Sequence, residues 1–284
     1  MRSVLEGSTA ADVCTVPFAH LVVENCLPIA LYEELARTYP SDEQILGLNT
    51  VRQRAPVRSN KRYNASAHQV LGRRCLTPAW EAFVQYHSSR EFFCEVVDVF
   101  GPAIRAQYPA LEQRLGGALH SLSTGVRFDS ESDHGTISLD CQVAINTPVT
   151  KAGSVRKVHA DAPEELFAML LYFRRGDDDS VGGDLEIWRW KDGHEPAFLG
   201  KQASEADAEH VSTIPYRANT LFAFLNSERA LHAVSARQPT PHSRRLVNII
   251  GEVYHPLPNG LFVKRQKPFG KLRQKLAAFM DRRE

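Results

Sequence analysis

Apolar residues change their rhythm once along this chain, near residue 117. Before that point they recur at three- and four-residue steps, the period of a helix with a buried stripe. Tyr32, Leu35, Ala36 and Tyr39 form one stripe behind Pro28, and proline suits the first turn of a helix because its missing N–H is not needed there. A second helix is expected over "TPAWEAFVQYHSS" and a third over "SSREFFCEVVDVFG". Ser88 and Glu91 stand at capping-box spacing at the start of the third, and Gly101 is expected to stop it. Phe92, Val96 and Val99 fall on one side of that helix and Phe93, Val97 and Phe100 on another, so burial on two faces is expected. A short strand, "HLVVEN", precedes the helices. The basic stretch "RQRAPVRSNKRYN", within residues 50–76, reads as a long loop.

From residue 117 to about 256 the texture is that of short strands separated by Gly, Pro, Asn and Asp. The segments are "SLDCQVAINTP", "VRKVHAD", "LFAMLLYFRR", "GGDLEIWRW", "VSTIPYR", "NTLFAFLNS", "LHAVSAR" and "RRLVNIIGEVY". Many short strands at close spacing indicate a sandwich, jelly roll or barrel. The organisation expected is an N-terminal helical support over 1–116, a β core over 117–257 and a basic tail over 258–284. In the tail, Leu272, Leu276 and Phe279 form one side of a candidate helix that packs on the domain.

Composition narrows the function classes. The 284 residues are 43% hydrophobic and 24% charged, with a formal net charge of +1, so no global field draws nucleic acid or an anionic membrane. No apolar run approaches the ~18 residues of a membrane span, and the start lacks the apolar core of a signal peptide. Five scattered cysteines without a C-x-x-C fit a reduced, cytoplasmic setting better than a disulfide framework.

The candidate chemistry lies in three residues. His159 and Asp161 share a face if their segment is a strand, because side chains alternate with period two. His232 follows 73 residues later, behind "NTLFAFLNS". Two imidazoles and one carboxylate can occupy one face of a non-haem Fe(II) octahedron and leave the other positions for O2 and substrate. Other patterns carry less. Asp177, Asp178 and Asp179 lack calcium-loop spacing and read as a solvated hairpin. Trp188 and Trp190 read as packing. No G-x-S-x-G supports a serine hydrolase.

The order of these pieces resembles the Fe(II)/2-oxoglutarate-dependent dioxygenase superfamily, in particular its prolyl-4-hydroxylase-like branch. The resemblance covers roughly residues 135–255 and is carried by "HAD", "LLYF", "GGDLEIW", "NTLFAFLNSERALHAV" and "RRLVN". It implies an α+β fold with a double-stranded β-helix (jelly-roll) core and an N-terminal helical layer. It implies His159, Asp161 and His232 as iron ligands and 2-oxoglutarate as cosubstrate with O2, ascorbate being a supporting reductant. An arginine fork would pair bidentately with the distal carboxylate of 2-oxoglutarate. The family pattern Arg-x-Ser-x-Asn favours Arg244, which places Leu246 and Asn248 two and four residues on. A one-residue shift in register would turn Arg245 inward instead. Leu246 stands where the family often has a hydroxyl, and Tyr172 matches a tyrosine that supplies one in prolyl hydroxylases. Gln142, Asn146 and Asn248 are expected on cavity-lining strands.

The reaction implied is hydroxylation of a substrate C–H bond with release of succinate and CO2. Asp161 supplies the carboxylate that a halogenase of this type lacks. The substrate expected is a small molecule, a glycan or a peptidyl residue, an anionic one included, and not nucleic acid. Two alternatives fit the same pattern: a β-helix module that binds a sugar or small acid without catalysis, and a cupin-type metal enzyme that does not use 2-oxoglutarate.

Overall fold

The computed structural model describes residues 1–48, 56–127, 135–253, 257 and 260–267. Six helices, α1 (Ile29–Arg37), α2 (Asp42–Leu48), α3 (Ala67–Arg73), α4 (Pro78–His87), α5 (Arg90–Gln107) and α6 (Leu111–Leu115), lie before the main strands. The strands in chain order are β1 (His20–Glu24), β2 (Arg62–Ala65), β3 (Thr124–Val126), β4 (Ile137–Asn146), β5 (Glu165–Tyr172), β6 (Leu185–Trp190), β7 (Phe198–Leu199), β8 (Gln202–Ala203), β9 (Ala208–Ile214), β10 (Thr220–Leu225), β11 (His232–Val234) and β12 (Arg244–Val253).

Two sheets form the core. The larger runs β1-β10-β5-β12-β4-β2, with β3 parallel to β4, and the smaller runs β11-β6-β9. Successive segments cross between them: β5 lies in the large sheet, β6 and β9 in the small, β10 in the large, β11 in the small and β12 in the large. This is the winding of a double-stranded β-helix, supported by an N-terminal helical layer. Between the sheets, Ala168, Leu170, Phe222, Phe224 and Leu246 of the large sheet pack with Leu185, Ile187 and Ile214 of the small one.

The opposite face of the large sheet carries the helices. Val143, Ile145, Met169, Leu171, Val247 and Ile249 share one buried cluster with Trp80, Phe83, Phe92, Phe93, Val96 and Phe100. Helix α5 is buried on both expected faces, but its cap is Ser89, whose hydroxyl accepts the Phe92 N–H at 3.3 Å. Ser88 instead terminates α4. Nor does α5 stop at Gly101; it runs through Pro102 to Gln107. Ile104, fully buried four residues after Phe100, continues the apolar stripe, and that packing outweighs the local cost of Gly and Pro.

Three further expectations change. At the end of the expected loop 52–64, Arg62–Ala65 form β2, and further along the polar stretch 50–76 Ala67–Arg73 form α3. Strand β2 exists because β4 offers an edge, with Arg62 opposite Asn146, while α3 is capped reciprocally by Ser66 and Gln69. The segment "VRKVHAD" is no regular strand; His159 makes single bridges to His232 and Gln202. The acidic triplet is a turn crossing between sheets and not a solvated hairpin: Asp178 is buried and its carboxylate accepts the Ser180 N–H at 2.9 Å. The basic residues 52–55 and the candidate tail helix with Leu272, Leu276 and Phe279 lie outside the described residues. Among the described residues, no helix is long and apolar enough to cross a membrane.

Candidate metal centre

Backbone pairing brings the distant histidine to the first one. His159 N–H donates to the His232 carbonyl at 3.0 Å and His232 N–H to the His159 carbonyl at 2.9 Å. The rings consequently stand with centroids 4.3 Å apart. Asp161, two residues beyond His159, places one carboxylate oxygen 3.4 Å from His159 Nε2 and the other 3.5 Å from His232 Nε2. One ligand atom from each residue lies within 4.8 Å of the others, so the three can hold one metal ion.

The ring nitrogens facing away from the centre are occupied. His159 Nδ1 donates to the Lys157 carbonyl at 2.8 Å and His232 Nδ1 to the Ala230 carbonyl at 3.0 Å. Such bonds fix the tautomer that leaves the Nε2 lone pairs for a metal. Burial, reinforced by His159, lowers the His232 pKa to about 4. Burial alone would raise the Asp161 carboxyl, but His232, His159 and Arg156 together hold it well below the usual carboxylate range. A neutral imidazole and a carboxylate are the forms that bind a cation.

The centre opens into a cavity of about 270 Å³ between the sheets. Gln142 and Asn248, paired across β4 and β12, and Ala168, Leu170 and Phe224 on the neighbouring β5 and β10 line the wall formed by the large sheet. Gln142 donates to Asp140 at 2.6 Å and accepts from Asn248 at 3.4 Å, so both amides are held in place. On the far side, burial first and then Asp161 and Glu252 push the Glu165 carboxyl up.

Register decides which arginine faces inward. Asn248 and Ile250 line the cavity, and Leu246 joins the inter-sheet core. Arg244 falls on that face by the strand's period of two. Arg245 falls on the other, over the Tyr39 ring at 5.1 Å. Arg244 is fully buried between Tyr172 and Tyr216, with its guanidinium 4.7 and 4.8 Å from the two ring centroids. None of its three guanidinium nitrogens has a hydrogen-bond partner among the described residues, and neither has the Tyr172 hydroxyl. Burial raises the Tyr172 pKa, and the nearby Arg244 charge opposes that rise.

The Gly-Gly turn explains itself here. Gly183 has φ +85°, and a side chain there would begin 3.1 Å from Arg237 and 3.3 Å from Arg244. A Cβ there would crowd the two buried arginines and its φ favours glycine, while at Gly182 (φ +81°) a Cβ would stand 2.0 Å from the Ala236 carbonyl oxygen, so that position admits only glycine. Sequence reasoning missed other residues of the cavity wall, namely Arg62, Asn64, Arg127, Arg156 and Glu165. A signal existed for the first two: in "RYNA" polar and apolar residues alternate as in a strand with one polar face.

No family model and no curated protein matches the chain. Solved structures do. A prolyl 4-hydroxylase from Phytophthora capsici is 17% identical with a TM-score of 0.45; 83% of this chain is covered, and the chain spans 59% of that one. A Pseudomonas putida prolyl-4-hydroxylase is 14% identical with a TM-score of 0.41, covering 83% of this chain and 93% of its own. The epimerase SnoN, solved with Fe3+, alpha-ketoglutarate and nogalamycin RO, is 14% identical with a TM-score of 0.42, covering 82% of this chain and 78% of its own. The chain carries a His-Asp-His centre of its own.

Proposed function

We propose that the protein is an Fe(II)- and 2-oxoglutarate-dependent oxygenase that hydroxylates a C–H bond of its substrate. The observation that carries this reading is the pairing of a three-ligand centre with an arginine whose donors are all buried and unpaired. A buried, unpartnered guanidinium is strongly unfavourable unless something fills its hydrogen bonds. A dicarboxylate satisfies that demand at one end while chelating a metal with the other.

In this reading His159, Asp161 and His232 hold the iron. The metal, when bound, supplies O2 activation coupled to oxidative decarboxylation of 2-oxoglutarate. Arg244 pairs with the distal carboxylate, the Tyr172 hydroxyl donates to the same group, and Tyr172 and Tyr216 fix the guanidinium plane from its two sides. Arg245, stacked on the outer face, takes no part. Asn248 and Gln142 form a polar wall beside the cosubstrate. Ala168, Leu170 and Phe224, on the neighbouring strands of the same sheet, keep the adjoining part of that wall apolar, which limits water at the reacting centre.

The test is succinate release by the purified protein with Fe(II), 2-oxoglutarate and ascorbate, expected even without substrate through uncoupled turnover and lost in Arg244→Ala. Absence of both turnover and metal uptake would instead indicate a binding module. Oxygen consumption independent of 2-oxoglutarate and indifferent to Arg244→Ala would indicate a cupin-type enzyme.

A further inference from the structure

The oxygenase reading leaves the substrate unnamed, and the distribution of charge outside the metal cavity bears on it. The chain is close to neutral, at +1 overall, yet five of its 34 lysines and arginines gather in one place. A vestibule of about 690 Å³ adjoins the metal cavity and shares Arg62, Asn64, Arg156 and His159 with it. Lys61, Lys157 and Lys201 complete five cations around the opening, and among the described residues no carboxylate lines it. The five come from three separated parts of the chain: the start of β2, the approach to His159, and the turn between β7 and β8. Lys201 is brought in because its neighbour Gln202 bridges to His159. Local composition therefore does not account for the cluster; the fold assembles it.

None of these five side chains makes an ion pair among the described residues. The carboxylate that acts most directly on Arg62 and Arg156 is Asp161, and a metal ion on Asp161 would cancel that compensation. Like charges crowded round one mouth repel each other, and the arrangement is relieved by an anion. Two guanidinium forks suit bidentate oxyanion contacts, and three flexible ammonium groups add point charges.

We propose that this vestibule binds the substrate through its acidic groups, and that the substrate is a compact polyanion bearing carboxylate or phosphate, with its reacting C–H bond directed into the cavity beside His159. The inference rests on the oxygenase reading. A nucleic acid is disfavoured because, among the described residues, no Phe, Tyr or Trp lines the vestibule, so bases lack a broad stacking platform. The volume is that of a small-molecule pocket, within the range of ~300–1,000 Å³.

The test is calorimetric titration of the full chain, with and without Mn(II), with two probes: inorganic phosphate and tricarballylate. At least one is expected to bind, more weakly as salt rises from ~50 to ~200 mM. The affinity is expected to fall roughly tenfold in Arg156→Gln/Lys201→Gln, whose exposed side chains leave the fold intact by circular dichroism. Saturating Mn(II) and 2-oxoglutarate, which in the oxygenase reading occupy the metal centre and Arg244, are expected to leave probe affinity within about twofold, and loss of all probe binding under those conditions overturns the vestibule as the site. A preference for phosphate assigns a phosphorylated substrate, and a preference for tricarballylate a polycarboxylate. Binding of neither probe, or equal affinity in the double variant, overturns the proposal. Tighter binding of polyglutamate than of tricarballylate overturns the compact class. Separate titrations with Mn(II) and 2-oxoglutarate keep the two readings apart. Their failure with probe binding intact sinks the oxygenase, whereas their success with probe binding absent sinks only the polyanion.

Discussion

The two faces of the large sheet are built from the same strands and do opposite things. On the outer face Val247, Ile249, Met169 and Leu171 meet Phe92, Phe93 and Phe83, and the few buried polar groups there, Trp80 Nε1, the Tyr39 hydroxyl and His87, have partners within the chain. On the inner face the alternate residues of β4, β5 and β12 include Asp140, Gln142, Asn146, Tyr172, Arg244 and Asn248, all buried, set among Ala144, Ala168, Leu170, Leu246 and Ile250. Apolar burial stabilises the outer face through area removed from water; the inner face costs stability wherever its polar groups lack partners. Two buried arginines sharpen the contrast. Arg237 donates to the carbonyls of Thr147 and His242 at 3.1 and 2.7 Å and so acts as a strut between loops. Arg244 donates to nothing among the described residues. Arg237 leaves only its Nε without a partner and holds loops together, whereas in the proposed reading the three free nitrogens of Arg244 take a ligand.

That contrast can be broken at several points. His232→Ala removes a ligand from the centre, so metal affinity should fall by more than the ~100-fold typical of losing an outer partner. Activity should vanish, and the thermal unfolding of the metal-free protein should barely move. Unfolding of this variant would show that the histidine is core packing. Phe92→Ala on the helical side should do the reverse, costing ~3–5 kcal/mol in denaturant titration without changing Mn(II) affinity per folded molecule.

A pH effect belongs to the helical side as well. His87 is buried in α4, accepts the Val4 N–H at 3.1 Å and donates to the Phe83 carbonyl at 2.8 Å, and burial lowers its pKa to about 4. Between the unfolded value near 6.5 and that lower value, the unfolded chain binds the proton and the folded one does not. The contribution of His87 is therefore complete above pH ~6.5 and is lost progressively as pH falls toward 4, amounting to about 3 kcal/mol at most. The difference in unfolding free energy between wild type and His87→Gln, followed across that window, should shrink as pH falls. A constant difference would rule the linkage out.

The inner face should respond in the unusual direction. Arg244→Met replaces an unpaired buried charge by an apolar side chain of similar length, so the protein without 2-oxoglutarate should gain ~1–2 kcal/mol of stability while losing 2-oxoglutarate binding. Destabilisation would mean that the guanidinium has structural partners after all. The smallest effect expected is that of Tyr172→Phe: removal of one hydroxyl donor should weaken 2-oxoglutarate binding about fivefold, the equivalent of ~1 kcal/mol, with little change in stability.

Much of the outer face was legible because its signal is local. The periodicity of α5, the run "LFAMLLYF" of β5 and the alternation in "RRLVNIIGEV" report burial through residue types alone. Boundaries were less legible. Gly101 and Pro102 signal a stop, but Ile104 still has a core to enter. In "RYNA" the polar residues hide a strand that exists only because β4 leaves an edge beside it. The choice between Arg244 and Arg245 needed register, since adjacent residues on a strand differ only in which face they meet.

What the amino-acid sequence determined by itself is the kind of elements present, the apolar stripe of each, and a His-x-Asp pair followed by a later histidine. Residue types and short-range periods suffice for these because each depends on neighbours within a few positions. Tertiary structure alone decided that His159 and His232 face each other across a backbone bridge, that Arg244 is left without a partner between two tyrosines, and that five cations from three segments meet at one opening. These are distances between residues far apart in the chain, and they exist only after the two sheets have closed over one another.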